Sequence, residues 1–129
     1  MRIFKNAWFE RFARKQKIYD AVLIGAVVRA EKGQVDADLG GGVLKQRIAR
    51  PGQGRSGGYR TILFFRRGER AFFVYGFAKS DRDNIDTDEE EYFRKAARHV
   101  LGLTEAQLAE LIRKGQFTEV HADGEEISQ

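Results

Sequence analysis

The chain has no cysteine, one proline, one tryptophan and two histidines among 129 residues. Without cysteine there is no disulfide, no thiolate metal site and no cysteine nucleophile, which suits a reducing cytoplasm. Only His99 and His121 supply imidazole. A histidine-rich metal centre is therefore excluded, and no motif calls for a metal or another cofactor. No run approaches the roughly 20 apolar residues of a membrane-spanning helix. The opening residues, Met1-Arg2-Ile3-Phe4-Lys5, lack the apolar stretch of a signal peptide. The expectation is a soluble, cytoplasmic domain with no membrane association.

What is present is charge, unevenly spread. The formal net charge is +4. Residues 1–82 hold 18 Lys/Arg against 7 Asp/Glu, whereas residues 83–129 hold 5 against 12. Between positions 45 and 70 stand eight basic residues, Lys45, Arg47, Arg50, Arg55, Arg60, Arg66, Arg67 and Arg70, with Glu69 as the single acid. A basic block of this density is the footprint of a polyanion site, because phosphates gain direct attraction and counterion release. A solvated, arginine-rich surface would look the same by charge alone. The acidic run at 81–91 either neutralises a helix N-terminus, with Thr87 and Glu90 as a capping box, or stands beside the basic block as an internal mimic of phosphate.

Hydrophobic spacing organises the chain. Residues 1–5 begin a strand. Phe9, Phe12 and Ala13 define a helix over 6–15, and a second over 21–32 opens at Asp20 as N-cap and stops at Gly33. The period then falls to two. Residues 43–49 alternate, with Leu44, Gln46 and Ile48 on one face and Val43, Lys45 and Arg47 on the other. Residues 59–66 and 71–78 are apolar on both faces and read as central strands joined by a hairpin at Arg67-Gly68-Glu69. Helices follow over 88–101 and from Thr104, whose capping box includes Gln107, to about 114. Residues 117–121 are a strand or an ordered tail, and 122–129 a frayed one. The fold class is α+β: a small antiparallel sheet, two N-terminal helices, and one or two C-terminal helices. A domain at 1–102 and a helical extension at 103–129 are expected.

Gly52-Gln53-Gly54-Arg55-Ser56-Gly57 matches the dinucleotide fingerprint G-x-G-x-x-G letter for letter. That motif works where a strand ends and a helix begins. Here it runs into a strand, so the helix dipole is missing and the cofactor reading fails. A second grouping is more telling. Lys45 and Arg47 share a strand face about 7 Å apart. Arg60 starts the next strand and Lys79 ends the one after, so an antiparallel sheet can gather all four at one end. Such a group repels itself unless an anion joins it. A scattered basic rim is the alternative.

Several ordered motifs also resemble a known family: Leu39-Gly40-Gly41-Gly42-Val43-Leu44-Lys45-Gln46-Arg47, Gly57-Gly58-Tyr59-Arg60, and Tyr75-Gly76-Phe77-Ala78-Lys79. Together they resemble the RelE/ParE superfamily of type II toxin–antitoxin toxins, most of all its HigB-like branch, over residues 3–101. The resemblance implies a ribosome-dependent endoribonuclease that cuts mRNA in the A site and is blocked by a cognate antitoxin of helix-turn-helix type. It implies attack by the ribose 2′-hydroxyl on the adjacent phosphate, with Lys45, Arg47, Arg60 and Lys79 as catalytic residues. RNA- or ribosome-binding roles fall to Arg50, Arg55, Tyr59, Arg66 and Arg82. The tyrosine that such toxins often carry shortly after the last basic motif is missing, which leaves Tyr59 or Phe77 as the stacking platform or the chemistry to cations alone. A ParE-like gyrase-binding toxin without nuclease activity and a non-catalytic RNA-binding domain are the competing readings.

Overall fold

Strands that are apolar on both faces must lie between other strands and under cover on both sides. The computed structural model, which describes residues 1–50 and 54–121, has this arrangement. The elements are β1 (Arg2–Asn6), α1 (Ala7–Gln16), α2 (Asp20–Glu31), β2 (Ala37–Gly40), β3 (Val43–Arg50), β4 (Gly54–Arg66), β5 (Arg70–Ala78), α3 (Thr87–Leu101), α4 (Glu105–Arg113) and β6 (Phe117–Val120). Among the described residues six strands form one sheet in the order β2-β3-β4-β5-β1-β6. The doubly apolar strands β4 and β5 are both internal to it.

The fold is α+β, with one departure from a purely antiparallel sheet. β1 pairs with β5 in parallel, Phe4 opposite Phe72, and β6 runs antiparallel on the far side of β1. Two short segments distant in sequence from the β3–β5 meander thereby widen the sheet. The four-residue β2, which ends on the glycine run at 40–42 and contains a single large apolar residue, gave no periodic signal.

Each sheet face carries its own helices. On one, Phe9 of α1 and Leu23 and Val27 of α2 pack on Leu44, Ile48, Leu63 and Phe73. On the other, Ala97 and Leu101 of α3 and Leu108 of α4 close over Phe4, Val43, Ile62, Phe64 and Phe72. The approach of α1 depends on Gly76, where a Cβ would stand 2.7 Å from the Phe12 ring. Gly42 meets two demands together. Its φ is +87°, and an added Cβ would lie 2.6 Å from Leu101.

Two expected caps moved. Asp20 is the first residue of α2 and not its N-cap, which is Tyr19 without a side-chain bond. The Asp20 carboxylate instead meets Lys5 at 3.2 Å. The capping box of α3 is Asp86 with Glu89, one position before the expected Thr87 and Glu90. The box of Thr104 and Gln107 on α4 is present. Gln46 is buried and satisfied: its amide donates to the carbonyls of Ala26 and Gln34 and accepts from the Asp36 N–H. This ties α2 and the segment before β2 to β3. Gly52 and Gln53 of the glycine-rich stretch, and the expected tail at 122–129, lie outside the described residues.

The chain after residue 102 is built into the same sheet and core, since Leu108 is fully buried and β6 pairs with β1. Leu108→Ala is expected to cost about 2–5 kcal/mol of global stability, as other buried leucine truncations do. Urea denaturation should show one transition at a lower midpoint; an unmoved midpoint would mean that α4 adds nothing to the core.

Candidate functional site

The ladder of β3, β4 and β5 decides which side chains meet. Arg47 lies opposite Arg60, and Arg60 opposite Phe77. Strand alternation puts Lys45, Arg47, Arg60 and Lys79 on the face that carries α3. All four line a single open cleft of about 340 Å³, together with Asp36, Ala37, Asp83 and Asn84.

Each cation is held differently. Arg60 is 8% exposed, and its buried Nη1 has no hydrogen-bond partner among the described residues. A guanidinium nitrogen sealed from water without an acceptor is costly, and an anionic oxygen entering the cleft would remove that cost. Arg47 is exposed and faces Asp36. Its Nε is 3.8 Å from the carboxylate, and its backbone N–H donates to the same group. Asp36 thus tempers the like-charge pairing across the strands. Lys45 donates from Nζ to Asn84 Oδ1 at 3.0 Å. Lys79 is exposed at the end of β5.

The segment after β5 is pinned over this cleft by Arg82. Its guanidinium donates twice to Glu89, at 2.6 and 3.1 Å, and to Tyr75 Oη at 3.0 Å, while Nε donates to the Asn84 carbonyl. Arg82 also lies 5.5 Å from the Phe77 ring centre. Hydrogen bonds to Glu89 first, then to Tyr75, raise the Arg82 pKa. The same contact lowers that of Glu89, helped by the Asp86 N–H. The chain of contacts Glu89–Arg82–Asn84–Lys45 therefore links the start of α3 to a cleft cation.

The other expected RNA contacts do not gather here. Tyr59 is 2% exposed, lies on the opposite sheet face and donates to Gln16 Oε1, so it presents no ring for a base to stack on. Phe77 is 4% exposed and is no platform either. Arg50 covers the Tyr59 ring at 5.3 Å. Arg66 is at the far end of β4, 3.6 Å from Glu69. Arg55 belongs to β4, its side chain outside the described residues. Arg82 is committed to Glu89 and Tyr75. His99 and His121 are exposed. Sequence reasoning missed Asp36, Asp83 and Asn84 as cleft residues. The one available hint was that all three lie in polar segments flanking strands.

A family model described as the RelE toxin of the RelE / RelB toxin-antitoxin system matches residues 1–120. The chain belongs to the RelE toxin family. It is a toxin of a toxin–antitoxin system, and a cognate antitoxin is its partner. The match runs past residue 101, through α4 and β6. No curated protein matches this toxin significantly. Among its described residues no helix is long and apolar enough to cross a membrane.

Because Arg82 lowers the pKa of Glu89, the stability this pair contributes is full above the unfolded carboxylate range and is lost as pH falls through the lower folded value. Glu89→Gln should be less stable than the parent toxin at pH 7. The two melting curves should converge in acid, below the range where Glu89 titrates. A constant difference at all pH values would show that the Arg82 contact is not its source.

Proposed function

We propose that the toxin is a metal-independent endoribonuclease that cleaves mRNA in the ribosomal A site, and that the cleft of Lys45, Arg47, Arg60 and Lys79 receives the scissile phosphate. The observation that carries this reading is the buried, unpartnered Nη1 of Arg60 in a cleft with three further cations. An anion is the ligand that such a group accepts, and an RNA phosphate is the polyanion suited to the basic front half of the chain.

The reaction this arrangement suits is transfer of the phosphoryl group to the neighbouring hydroxyl. The ribose 2′-oxygen forms a bond to phosphorus, the bond from phosphorus to the 5′-oxygen breaks, and a 2′,3′-cyclic phosphate and a 5′-hydroxyl result. Lys45 or Lys79, as the neutral amine, takes the 2′-hydroxyl proton, and the leaving 5′-oxygen gains one from the ammonium so formed or from water. Arg60, fixed by its strand and by the core beside it, stabilises the charge that grows on the non-bridging oxygens, with Arg47 next to it. Asn84 holds the Lys45 amine at the rim. The motifs that resemble the HigB-like branch, and an antitoxin of helix-turn-helix type, accompany this reading.

Removing one preorganised donor of this kind costs about a hundredfold or more in rate. Arg60→Ala is expected to lose cleavage by that factor, with Arg60→Lys intermediate. Primer extension on mRNA after induced expression measures it, and a melting curve confirms that the variant folds. A folded Arg60→Ala toxin that arrests growth and cuts mRNA as the parent does would remove Arg60 from the chemistry. Parent toxin that leaves mRNA whole but breaks DNA in a gyrase-dependent way would overturn the nuclease reading itself.

A further inference from the structure

A second cationic cleft opens where α3 ends over β4. It is about 570 Å³ in volume and is lined by Gly41, Arg66, Arg94, Lys95 and Arg98, with Glu91 the one carboxylate in the lining and Glu69 and Glu90 lying 3.6 and 3.7 Å from Arg66 and Arg94. Arg94 is anchored by a hydrogen bond from Nη1 to the Leu39 carbonyl at 2.9 Å, its stem beside Gly41. Lys95 and Arg98 are exposed and form no ion pair among the described residues. The single apolar side chain at the cleft, Leu101, is 6% exposed. The surface therefore offers point charges and forked donors but no pocket for an apolar side chain, which suits a phosphate backbone better than a peptide.

The two clefts are joined by β2. Ala37 lines the first and Gly41 the second, at most about 13 Å apart, the fully extended reach of four residues. A few nucleotides of a single strand span that distance, and Arg94 stands between the clefts through its bond to Leu39.

We propose that this second cleft binds the phosphate backbone of the same RNA strand whose scissile linkage occupies the first, and supplies affinity rather than chemistry. The inference rests on the reading of the first cleft as an RNA site. In the full chain, Lys95→Glu with Arg98→Glu should weaken binding of a fluorescein-labelled 2′-O-methyl RNA strand, which cannot undergo 2′-oxygen attack, by about tenfold or more at low salt. The slope of log K against log salt should shrink by about 1.4, since each lost single-strand phosphate contact removes about 0.7. An equal reversal on α4, Arg113→Glu with Lys114→Glu, should leave that slope in place. If the α3 pair behaves like the α4 pair, or weakens binding of a polyglutamate probe while RNA binding holds, the proposal is overturned. Unchanged cleavage by Arg60→Ala would instead strike at the first cleft's chemistry. The slope of the α3 pair is read without cleavage, so the two failures are distinguishable.

Discussion

The site depends on strand register. Arg47 and Arg60 stand across from one another because Val43, Leu44 and Ile48 of β3 and Ile62, Leu63 and Phe64 of β4 are buried on two different faces. A slip of one residue would pair residues of opposite facing, break the packing of both sets and carry the arginines to opposite sides. The apolar burial thus supplies the free energy that holds two guanidinium groups closer than they would settle alone. That repulsion is what an anion in the proposed site would relieve. Asp36 offsets part of it at Arg47, whereas Arg60 forms no ion pair among the described residues. The most deeply held cation of the group is left unanswered.

The sheet alone does not finish the cleft. Lys79 and Asn84 come from the segment between β5 and α3, which is short of apolar anchors apart from Ile85. Its order comes from Arg82, whose guanidinium joins the α3 capping box, the Tyr75 hydroxyl and the Asn84 backbone. The run of carboxylates at the start of α3 therefore does more than face a helix dipole. One of its members, Glu89, caps the helix and fixes the arginine at the same time.

Period-two alternation with a short hairpin was sufficient to read the convergence of Lys45, Arg47, Arg60 and Lys79, because facing and adjacency in a β-meander are local properties. The same alternation assigns Tyr59 to the other face, since neighbours on a strand point opposite ways, and its burial follows. The parallel pairing of β1 with β5 and the docking of β6 were not legible. Nothing in five or four residues names a partner more than sixty positions away. β2 was missed for want of length, and Asp36 and Asn84 with it, because their roles arise from Gln46 and Arg82 holding polar segments in place. The capping box of α3 slipped by one because Asp86 and Thr87 are both competent caps, and the Arg82 contact favours the frame with Glu89 inside.

β1 lies between β5 and β6, so the first strand made is bordered on one edge by the last. During vectorial synthesis its edge toward β6 stays open until residues 117–120 have cleared the exit tunnel. The sheet is therefore closed by contacts of long sequence separation, a slow step by topology.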